Sequence, residues 1–418
     1  MKGGLRTAVQ ACFLLLSGGI LGVLFLLAVY AIPVSKMADN YTRSLECIER
    51  REGWHQYLPG YDLSMLDNNT EYLMLKAAAT PMPSTGENYI QKVLRCYTYN
   101  SEWNHGMTFA QGTYNGQDFT CDSYERYWHG YLVFLKPLLS VFSYQDLIYL
   151  NVVLQSVLLF VLLHMLQKQG MGYLRVPFLI FWIVGMQLVV MLSLDYSVCF
   201  YIYMVSVLLL LRFPKLGDRC GLFFMSVGML TAYMDLLTWP LVTLAVPLMI
   251  LLQQKSGTRE RIKKTVETSV CWGVGYVVQW AFKWLAATLF LEDNVIADAL
   301  ESLLFRSALD GEKTLTWGHV VMKNLSVFCN PPCLLLGGTA VLLTGILLYK
   351  KREQIQWNRM IAWCLVGISP FLWYLVTRNH AYEHYWMTWR NLSITVFAVC
   401  GGLAEAMRED ELICIKSI

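Results

Sequence analysis

Two carboxylates in one polar stretch are the residues best suited to acid–base chemistry. Asp67 and Glu71 lie four positions apart within residues 66–75, where an apolar face follows them. Asp67 or Asn68 fits the N-cap of a helix, with Glu71 close to its first turn. Capping is compatible with a second role for Asp67, as a general base or a metal ligand that faces the membrane surface.

A second stretch combines an acid, a cation and an imidazole. Glu125, Arg126 and His129 are spaced so that a helix would place them on one face. Such a trio suits phosphate binding beside a sugar that stacks on a neighbouring Tyr or Trp. The aromatic residues around it also fit the belt with which membrane proteins anchor at the interface.

Single charges interrupt or flank the apolar part of the chain. Asp195 and Asp235 each lie between two apolar runs, where turn formation is the simple interpretation. Lys283 lies near one end of its run, where it either extends to the interface or pairs with Asp235 or an anionic ligand. Arg306 follows an amphipathic stretch that is predicted to lie on the outer surface. Charge within hydrocarbon costs about 2.5–3.5 kcal/mol per residue, which favours a functional role for the set.

The last polar turn carries two histidines and an arginine. His380 and His384 are at i and i+4, so a helix places both rings on one face, and Arg390 follows them. This spacing suits zinc, but the turn lacks the glutamate of a metalloprotease helix and a third ligand. We therefore expect a phosphate-binding or proton-transferring pair. Two interfacial histidines without a catalytic role are the alternative.

Membrane-spanning helices must position these residues. The chain of 418 residues is 56% hydrophobic and only 15% charged, and its mean hydropathy of +0.42 excludes an ordinary soluble domain. A helix needs about 20 residues to cross the hydrocarbon, and the apolar runs predict about ten spans. The predicted spans are 8–32, 146–167, 176–193, 196–212, 220–234, 236–252, 265–290, 332–349, 359–377 and 392–407.

Basic residues in the short loops predict the orientation. They cluster before the first span and in alternate loops, at Lys2, Arg6, Lys168, Arg175, Arg212, Lys215, Arg219, Lys255, Arg259, Arg261, Lys263, Lys264, Lys350, Lys351, Arg352 and Arg359. By the positive-inside rule this side is cytoplasmic, together with both termini. All the candidate site residues then share the external side. These clusters also explain the net charge of +3, so that no nucleic-acid partner is implied.

The predicted domain organisation is simple. Residues 1–418 form a single polytopic membrane domain, in which 33–145 is the first external loop with juxtamembrane amphipathic helices and 146–418 is the remaining helix bundle. A retained first helix is expected rather than a cleaved signal peptide, because its apolar run is long and no small-residue cleavage site follows it. Cys47, Cys96 and Cys121 share the loop, and a disulfide among them would leave one thiol over.

The chain resembles the GT-C superfamily of polyprenyl-phosphate-dependent membrane glycosyltransferases. The resemblance is in the layout: one helix, a long external loop with surface helices, then many spans joined externally by polar turns. Residues 66–75, 127–135 and 379–390 are similar to stretches of bacterial envelope proteins of this layout. The family's acidic residue early in the first external loop acts as catalytic base or metal ligand, and Asp67 matches it by position. The family's adjacent Asp-Glu pair is absent, since Asp67 and Glu71 are separated.

This resemblance implies an all-α integral protein of the plasma (inner) membrane that moves a sugar from a polyprenyl-phosphate-linked donor to an envelope glycan, lipid or protein acceptor on the external face. A loop carboxylate, Asp67 with Glu71 nearby, would serve as base, and Mg²⁺ or Mn²⁺ is a candidate cofactor. Membrane lipids, the donor and the acceptor are the expected partners. A transporter or flippase of a lipid-linked saccharide is the alternative, and would place ionisable groups near the bilayer midplane in pseudo-symmetric halves. The third hypothesis is that the chain is a non-catalytic membrane protein of envelope assembly.

Overall fold

Helices dominate the computed structural model, which describes residues 2–49, 53–99, 121–255, 257–308 and 315–408. In chain order the helices are α1 (Lys2–Tyr30), α2 (Ala38–Glu49), α3 (Asn68–Ala79), α4 (Tyr89–Arg95), α5 (Leu132–Leu139), α6 (Tyr144–Lys168), α7 (Arg175–Val184), α8 (Gln187–Val190), α9 (Leu194–Arg212), α10 (Cys220–Met234), α11 (Val242–Leu252), α12 (Thr258–Phe290), α13 (Val295–Arg306), α14 (Trp317–Leu325), α15 (Pro331–Lys351), α16 (Met360–Gly367), α17 (Ser369–Val376), α18 (Arg378–Glu383), α19 (Tyr385–Thr388) and α20 (Leu392–Ala406). Short 3₁₀ turns join several of them. The strands form two small hairpins, β1 (Trp54–Gln56) with β2 (Met65–Asp67) and β3 (Thr98–Tyr99) with β4 (Cys121–Asp122).

Among the residues that the structure describes, five helical segments are long and apolar enough to cross a membrane. They are Gly4–Tyr30, Tyr144–Lys168, Leu194–Arg212, Pro331–Lys351 and Trp357–Val376, the last of which comprises α16 and α17. Their length and composition follow from the thickness of the hydrocarbon, which about 20 helical residues cross. The chain is therefore a mostly helical membrane protein, as the composition predicts.

The other predicted spans are shorter, interrupted or more polar. The run 176–193 is divided between α7 and α8, because Met186 adopts a left-handed backbone conformation with φ +50°. Helices α10 and α20 have 15 residues each and α11 has 11. Helix α12 is a single helix of 33 residues whose first turns are charged. The total of about ten spans and the orientation of the termini stay predictions.

Local sequence signals define several helix starts. Ser143 accepts a hydrogen bond from the backbone of Asp146 and the Asp146 carboxylate caps Ser143 in return, which is the capping box that begins α6. Ser193 caps α9 through the Tyr196 backbone N–H. Asn330 likewise caps α15. Each cap occupies donors that a helix N-terminus leaves unpaired, so it fixes where a membrane helix emerges.

Small residues allow α10 and α12 to pack backbone against backbone. A Cβ atom on Gly228 would lie 2.1 Å from the Trp272 carbonyl oxygen, and one on Gly275 would lie 2.1 Å from the Met225 carbonyl oxygen. Both positions therefore require glycine. Close packing through small residues is the usual way in which helices associate in lipid, where little apolar surface is left to hide from water.

The described parts of the segment 33–145 are folded, and their helices α2, α3 and α4 contact α6, α9 and α12 respectively. The Asn40 side chain donates to the Leu139 carbonyl over 2.8 Å, and Ser44 Oγ accepts from the Tyr144 backbone N–H over 2.8 Å. The juxtamembrane helix α2 and the amphipathic helix α13 occur where the sequence predicts them. The three loop cysteines are free thiols. Residues 100–120 of this segment lie outside the described residues.

Candidate functional site

Asp67 lies where β2 ends and α3 begins. Its Oδ1 accepts a hydrogen bond from the Thr70 backbone N–H over 3.1 Å, which confirms the predicted N-cap. Its Oδ2 accepts one from the Trp386 indole N–H over 3.3 Å. The carboxylate is buried, and its contact with Trp386 connects the first loop to the last polar turn.

Glu71 holds the start of the membrane helix α9. Its Oε1 accepts hydrogen bonds from Ser193 Oγ over 2.7 Å and from the Asp195 backbone N–H over 2.8 Å. The carboxylate is buried, and this burial raises the pKa of Glu71, against the opposing effect of the two hydrogen bonds. A negative charge at a helix N-terminus is favourable, so Glu71 stabilises α9 whenever it is ionised.

Asp195 contributes another buried carboxylate to this region. It is only 1% exposed, and its Oδ2 has no hydrogen-bond partner within the part of the chain that the structure describes. Its electrostatic neighbours are Glu71, Asp67, Asp235 and Arg390. A buried oxygen without a partner costs about 1–3 kcal/mol, so Asp195 is poised to accept a proton or a hydrogen bond from a ligand.

Asp235 shapes the turn after α10. Its carboxylate accepts from the Thr238 backbone N–H and, over 2.5 Å, from the Thr238 hydroxyl. Burial raises its pKa to about 6, while these hydrogen bonds oppose the shift. The turn also places Leu237 at φ +66°, an unusual conformation for a branched residue, and aims its carbonyl at His380. The predicted turn-forming role of Asp235 is therefore confirmed.

Arg390 supplies the positive charge of the site. Its guanidinium lies 4.1 Å from the centre of the Tyr196 ring, and Nη1 donates to the Trp386 carbonyl over 2.9 Å. The residue is fully buried, but Nε and Nη2 have no hydrogen-bond partner in the described ranges. Burial lowers its pKa. Two adjacent N–H donors of one planar guanidinium match two oxygens of a phosphate or carboxylate.

The two histidine rings contact each other beside this cluster. Their ring centres lie 4.7 Å apart, so the prediction that they share one face is confirmed, although α18 ends at Glu383. His380 Nδ1 must accept from Arg306, which can only donate, so Nε2 carries the proton and donates to the Leu237 carbonyl. Burial, the neighbouring His384 and Arg306 lower the pKa of His380 well below 6.5. His380 is therefore a neutral ring.

His384 has one ring nitrogen that could bind a ligand. Its Nδ1 is buried and lacks a hydrogen-bond partner among the residues that the structure describes. Burial and the charge of Arg306 lower its pKa, while Asp67 and Glu383 oppose the shift. Its ring contacts Trp386, with the ring centres 5.1 Å apart. A neutral imidazole in this position can donate to or accept from a ligand that enters between Asp67 and Arg390.

Glu125, Arg126 and His129 do not form the predicted helical face. They lie in turns before α5, because His129 takes a left-handed conformation with φ +52°. Arg126 pairs with Asp298 of α13 at 2.8 Å, near the surface. His129 Nδ1 contacts the Tyr131 hydroxyl and Nε2 the Tyr124 carbonyl, and burial lowers its pKa to about 3. His129 is thus neutral, with both nitrogens in use.

Two buried lysines secure the loop helices. Lys283 of α12 donates to the Leu94 carbonyl over 2.6 Å, in the last turn of α4. Lys136 of α5 donates to the Ala78 carbonyl over 2.6 Å, in the last turn of α3. A cation at a helix C-terminus satisfies carbonyls that the helix leaves unpaired. Sequence reasoning missed Lys136, although a lysine within the apolar run before residue 142 is a visible signal.

An apolar groove in the membrane part adjoins the acidic cluster. It has a volume of about 600 Å³ and runs along α6, α9 and α10, with α5 at one end. Tyr131, Leu194 and Met234 line one end of the groove. Leu194 and Met234 directly precede Asp195 and Asp235 in the chain. Several lining residues, among them Leu154, Val205 and Leu230, are more than 40% exposed, so the groove opens sideways to lipid.

The structure thus divides the candidate residues into two groups. One connected region at one end of the groove contains Asp67, Glu71, Asp195, Asp235, Arg306, His380, His384 and Arg390. Lys283, Glu125, Arg126 and His129 lie around α4, α5 and α13. Within the described ranges no three His, Cys, Asp or Glu side chains are placed to hold a metal ion.

Comparison of the chain with protein-family models, with curated proteins and with solved structures found no match.

Proposed function

We propose that the protein is a membrane glycosyltransferase that moves a sugar from a polyprenyl-phosphate-linked donor to an envelope acceptor. One observation carries the proposal: a buried cluster of carboxylates lies at the end of an apolar groove that opens to lipid, together with an arginine whose N–H donors lack partners among the described residues. A lipid-linked sugar needs this combination, because its tail is apolar and its headgroup is anionic.

The groove is the proposed site of the lipid tail. From Leu194 to Leu209 it follows α9 for about 22 Å, at 1.5 Å per residue. The hydrocarbon lining offers no charge to the tail, and its exposed side chains allow the tail to enter from the bilayer. The headgroup of a lipid in this groove then lies next to Asp195 and Asp235.

Arg390 is the proposed phosphate ligand. Its Nε and Nη2 are buried and have no partner in the described part of the chain, and a phosphate oxygen on each removes the cost of leaving these donors unpaired. Its position on Tyr196 fixes the direction of the guanidinium. Neutral His384 adds a hydrogen bond through Nδ1 without adding a second buried charge.

Asp67 is the proposed base. It would take the proton of an acceptor hydroxyl while that oxygen forms a bond to the anomeric carbon of the donor sugar. The bond from the anomeric carbon to the phosphate oxygen breaks, and its electron pair leaves with the polyprenyl phosphate, which Arg390 stabilises. One displacement inverts the anomeric configuration. Among the described residues no three His, Cys, Asp or Glu side chains are placed to hold a metal ion. No step is therefore assigned to a metal, and the Mg²⁺ or Mn²⁺ requirement stays a prediction.

Replacement of Asp67 by Asn tests this function. Asn is also a good N-cap, so the hydrogen bond from the Thr70 N–H and the fold are retained. In membranes supplied with a polyprenyl-phosphate sugar, transfer is expected to fall by roughly 10²–10⁴-fold. The control Asp298→Asn, at an exposed carboxylate, leaves transfer unchanged.

Two results would overturn the proposal. Transfer at the wild-type rate by Asp67→Asn would remove Asp67 as the base. Movement of the intact lipid-linked sugar across vesicles containing the wild-type protein, without sugar transfer, would instead identify a flippase.

A further inference from the structure

An exposed tryptophan lies directly beside the proposed base. In the β1–β2 hairpin Trp54 pairs with Asp67, and directly opposed residues of a hairpin project from the same face with Cβ atoms about 4.5–5.5 Å apart. Asp67 is buried, but Trp54 is 55% exposed. The hairpin therefore presents an open indole next to the carboxylate.

Trp54 belongs to a continuous aromatic surface. Its ring packs edge-on against Trp386, with the ring centres 5.8 Å apart, and Trp386 is also the residue that donates to Asp67. Tyr385 follows next, under the Lys323 ammonium at 3.9 Å from the ring centre. We call Trp54, Trp386 and Tyr385 the aromatic platform.

Polar side chains fix and border this platform. Gln56, on the same face of β1 as Trp54, donates to Asp62 over 2.7 Å, and the Tyr385 hydroxyl donates to the other Asp62 oxygen over 3.0 Å. These bonds tie the hairpin to the last polar turn. An open ring face with hydrogen-bonding groups at its margin complements a pyranose, which has apolar C–H faces and hydroxyls around its edge.

We infer that the aromatic platform binds the acceptor, and that the acceptor is a saccharide chain. A pyranose on the Trp54 ring would present a hydroxyl to Asp67, and further sugars would extend over Trp386 and Tyr385. This inference rests on the proposed function for the role of Asp67, and narrows the acceptor from a glycan, lipid or protein to a glycan. A lipid acceptor is disfavoured because no residue of the hairpin lines the groove.

Binding of neutral oligosaccharides to the full-length protein in nanodiscs tests the platform. The probes are maltohexaose, cellohexaose and chitohexaose, measured by saturation-transfer NMR and calorimetry without any donor. Saturable binding of at least one probe is expected. Trp54→Ala should weaken that binding roughly tenfold and Trp54→Phe by less, because Phe keeps a ring face. Trp357→Ala is the matched control, since Trp357 is 56% exposed at the other end of the span 357–376.

The outcomes separate this inference from the proposed function. Wild-type binding by Trp54→Ala, with an unchanged melting temperature, would overturn the platform and make Trp54 an interfacial anchor. Failure of all three probes to bind the wild-type protein would also overturn it. Oligosaccharide binding that depends on Trp54, in a protein that transfers no sugar, would support the platform and refute the transferase.

Discussion

The Glu71 carboxylate accepts a hydrogen bond from the backbone N–H of Asp195, 2.8 Å away and 124 residues later in the chain. The same oxygen accepts from the Ser193 hydroxyl. A side chain of the first loop therefore completes the N-terminus of a membrane helix. Because Asp195 is the second residue of that helix, the contact also sets the position of the Asp195 carboxylate.

Replacing Glu71 tests this connection. Glu71→Ala leaves the Ser193 hydroxyl and the Asp195 N–H buried without their acceptor, at about 1–3 kcal/mol for each donor. We expect a clearly lower melting temperature in detergent, and a smaller decrease for Glu71→Gln, whose amide oxygen still accepts. Glu301→Ala, at an exposed residue of α13, should melt like the wild type. Equal melting temperatures for all four proteins would contradict the role of Glu71.

How far the sequence predicts this site depends on the range of each interaction. The Asp67 cap was predictable, because its partner Thr70 is three residues away and capping follows local rules. The pairing of His380 with His384 was predictable for the same reason. The contact between Glu71 and Asp195 was not, since nothing in either segment specifies the other across so long a separation.

Glu125, Arg126 and His129 illustrate the opposite outcome. Their spacing suits a helix, but the left-handed conformation of His129 and its two hydrogen bonds to nearby loop atoms hold the segment in turns. The prediction of one continuous span over 176–193 is wrong for a similar reason. The left-handed backbone of Met186 interrupts an apolar run that hydropathy alone cannot divide. Hydropathy reports burial in lipid, whereas local backbone geometry depends on tertiary contacts.

The raised pKa of Asp235 predicts that the stability of the protein depends on pH. Its pKa is about 6 in the folded protein against an ordinary value of 3.8, so the folded state binds the proton more tightly. The stabilisation is complete below about pH 4 and is lost as the pH rises to about 6, amounting to ~3 kcal/mol for a shift of this size. Asp235→Asn, which cannot ionise, should therefore gain stability relative to the wild type between pH 4 and 7.

Melting temperatures at pH 4, 5, 6 and 7 measure this difference. The informative quantity is the variant minus the wild type at each pH, because other groups titrate in both proteins. Asp298→Asn provides the control, since that carboxylate lies near the surface beside Arg126. A difference for Asp235→Asn that is constant across the four pH values would refute the raised pKa.

We expect that lysine cannot replace Arg390 in sugar transfer. Arg390→Lys keeps the charge but loses the planar pair of donors, Nε and Nη2, which are unpartnered in the described part of the protein. Sugar transfer should fall roughly 10²-fold or more, as for the loss of one donor that stabilises developing charge. Arg126→Lys is the matched control, because Arg126 lies near the surface beside Asp298. Equal transfer rates for the two variants would exclude Arg390 as the phosphate ligand.

The groove makes a prediction that depends on the length of the donor's tail. Val205 lines the groove about midway along α9, and Val205→Trp would fill part of it. The KM for a long-chain polyprenyl-phosphate sugar should rise roughly tenfold, because the tail loses apolar contact area, each buried CH₂ being worth about 0.8 kcal/mol. A donor whose tail is too short to reach Val205 should be used as before.

Val153→Trp is the control for this experiment. Val153 lies on α6 between the lining residues Asn151 and Leu154, but it does not itself line the groove, and it is 58% exposed. Both variants add an indole to a lipid-facing surface, so a general effect on membrane insertion would lower expression of both. A selective loss of long-chain donors in Val205→Trp alone places the tail in the groove. If both variants use long and short donors like the wild type, the tail binds elsewhere, and the carboxylates beside Leu194 and Met234 must receive the headgroup by another route.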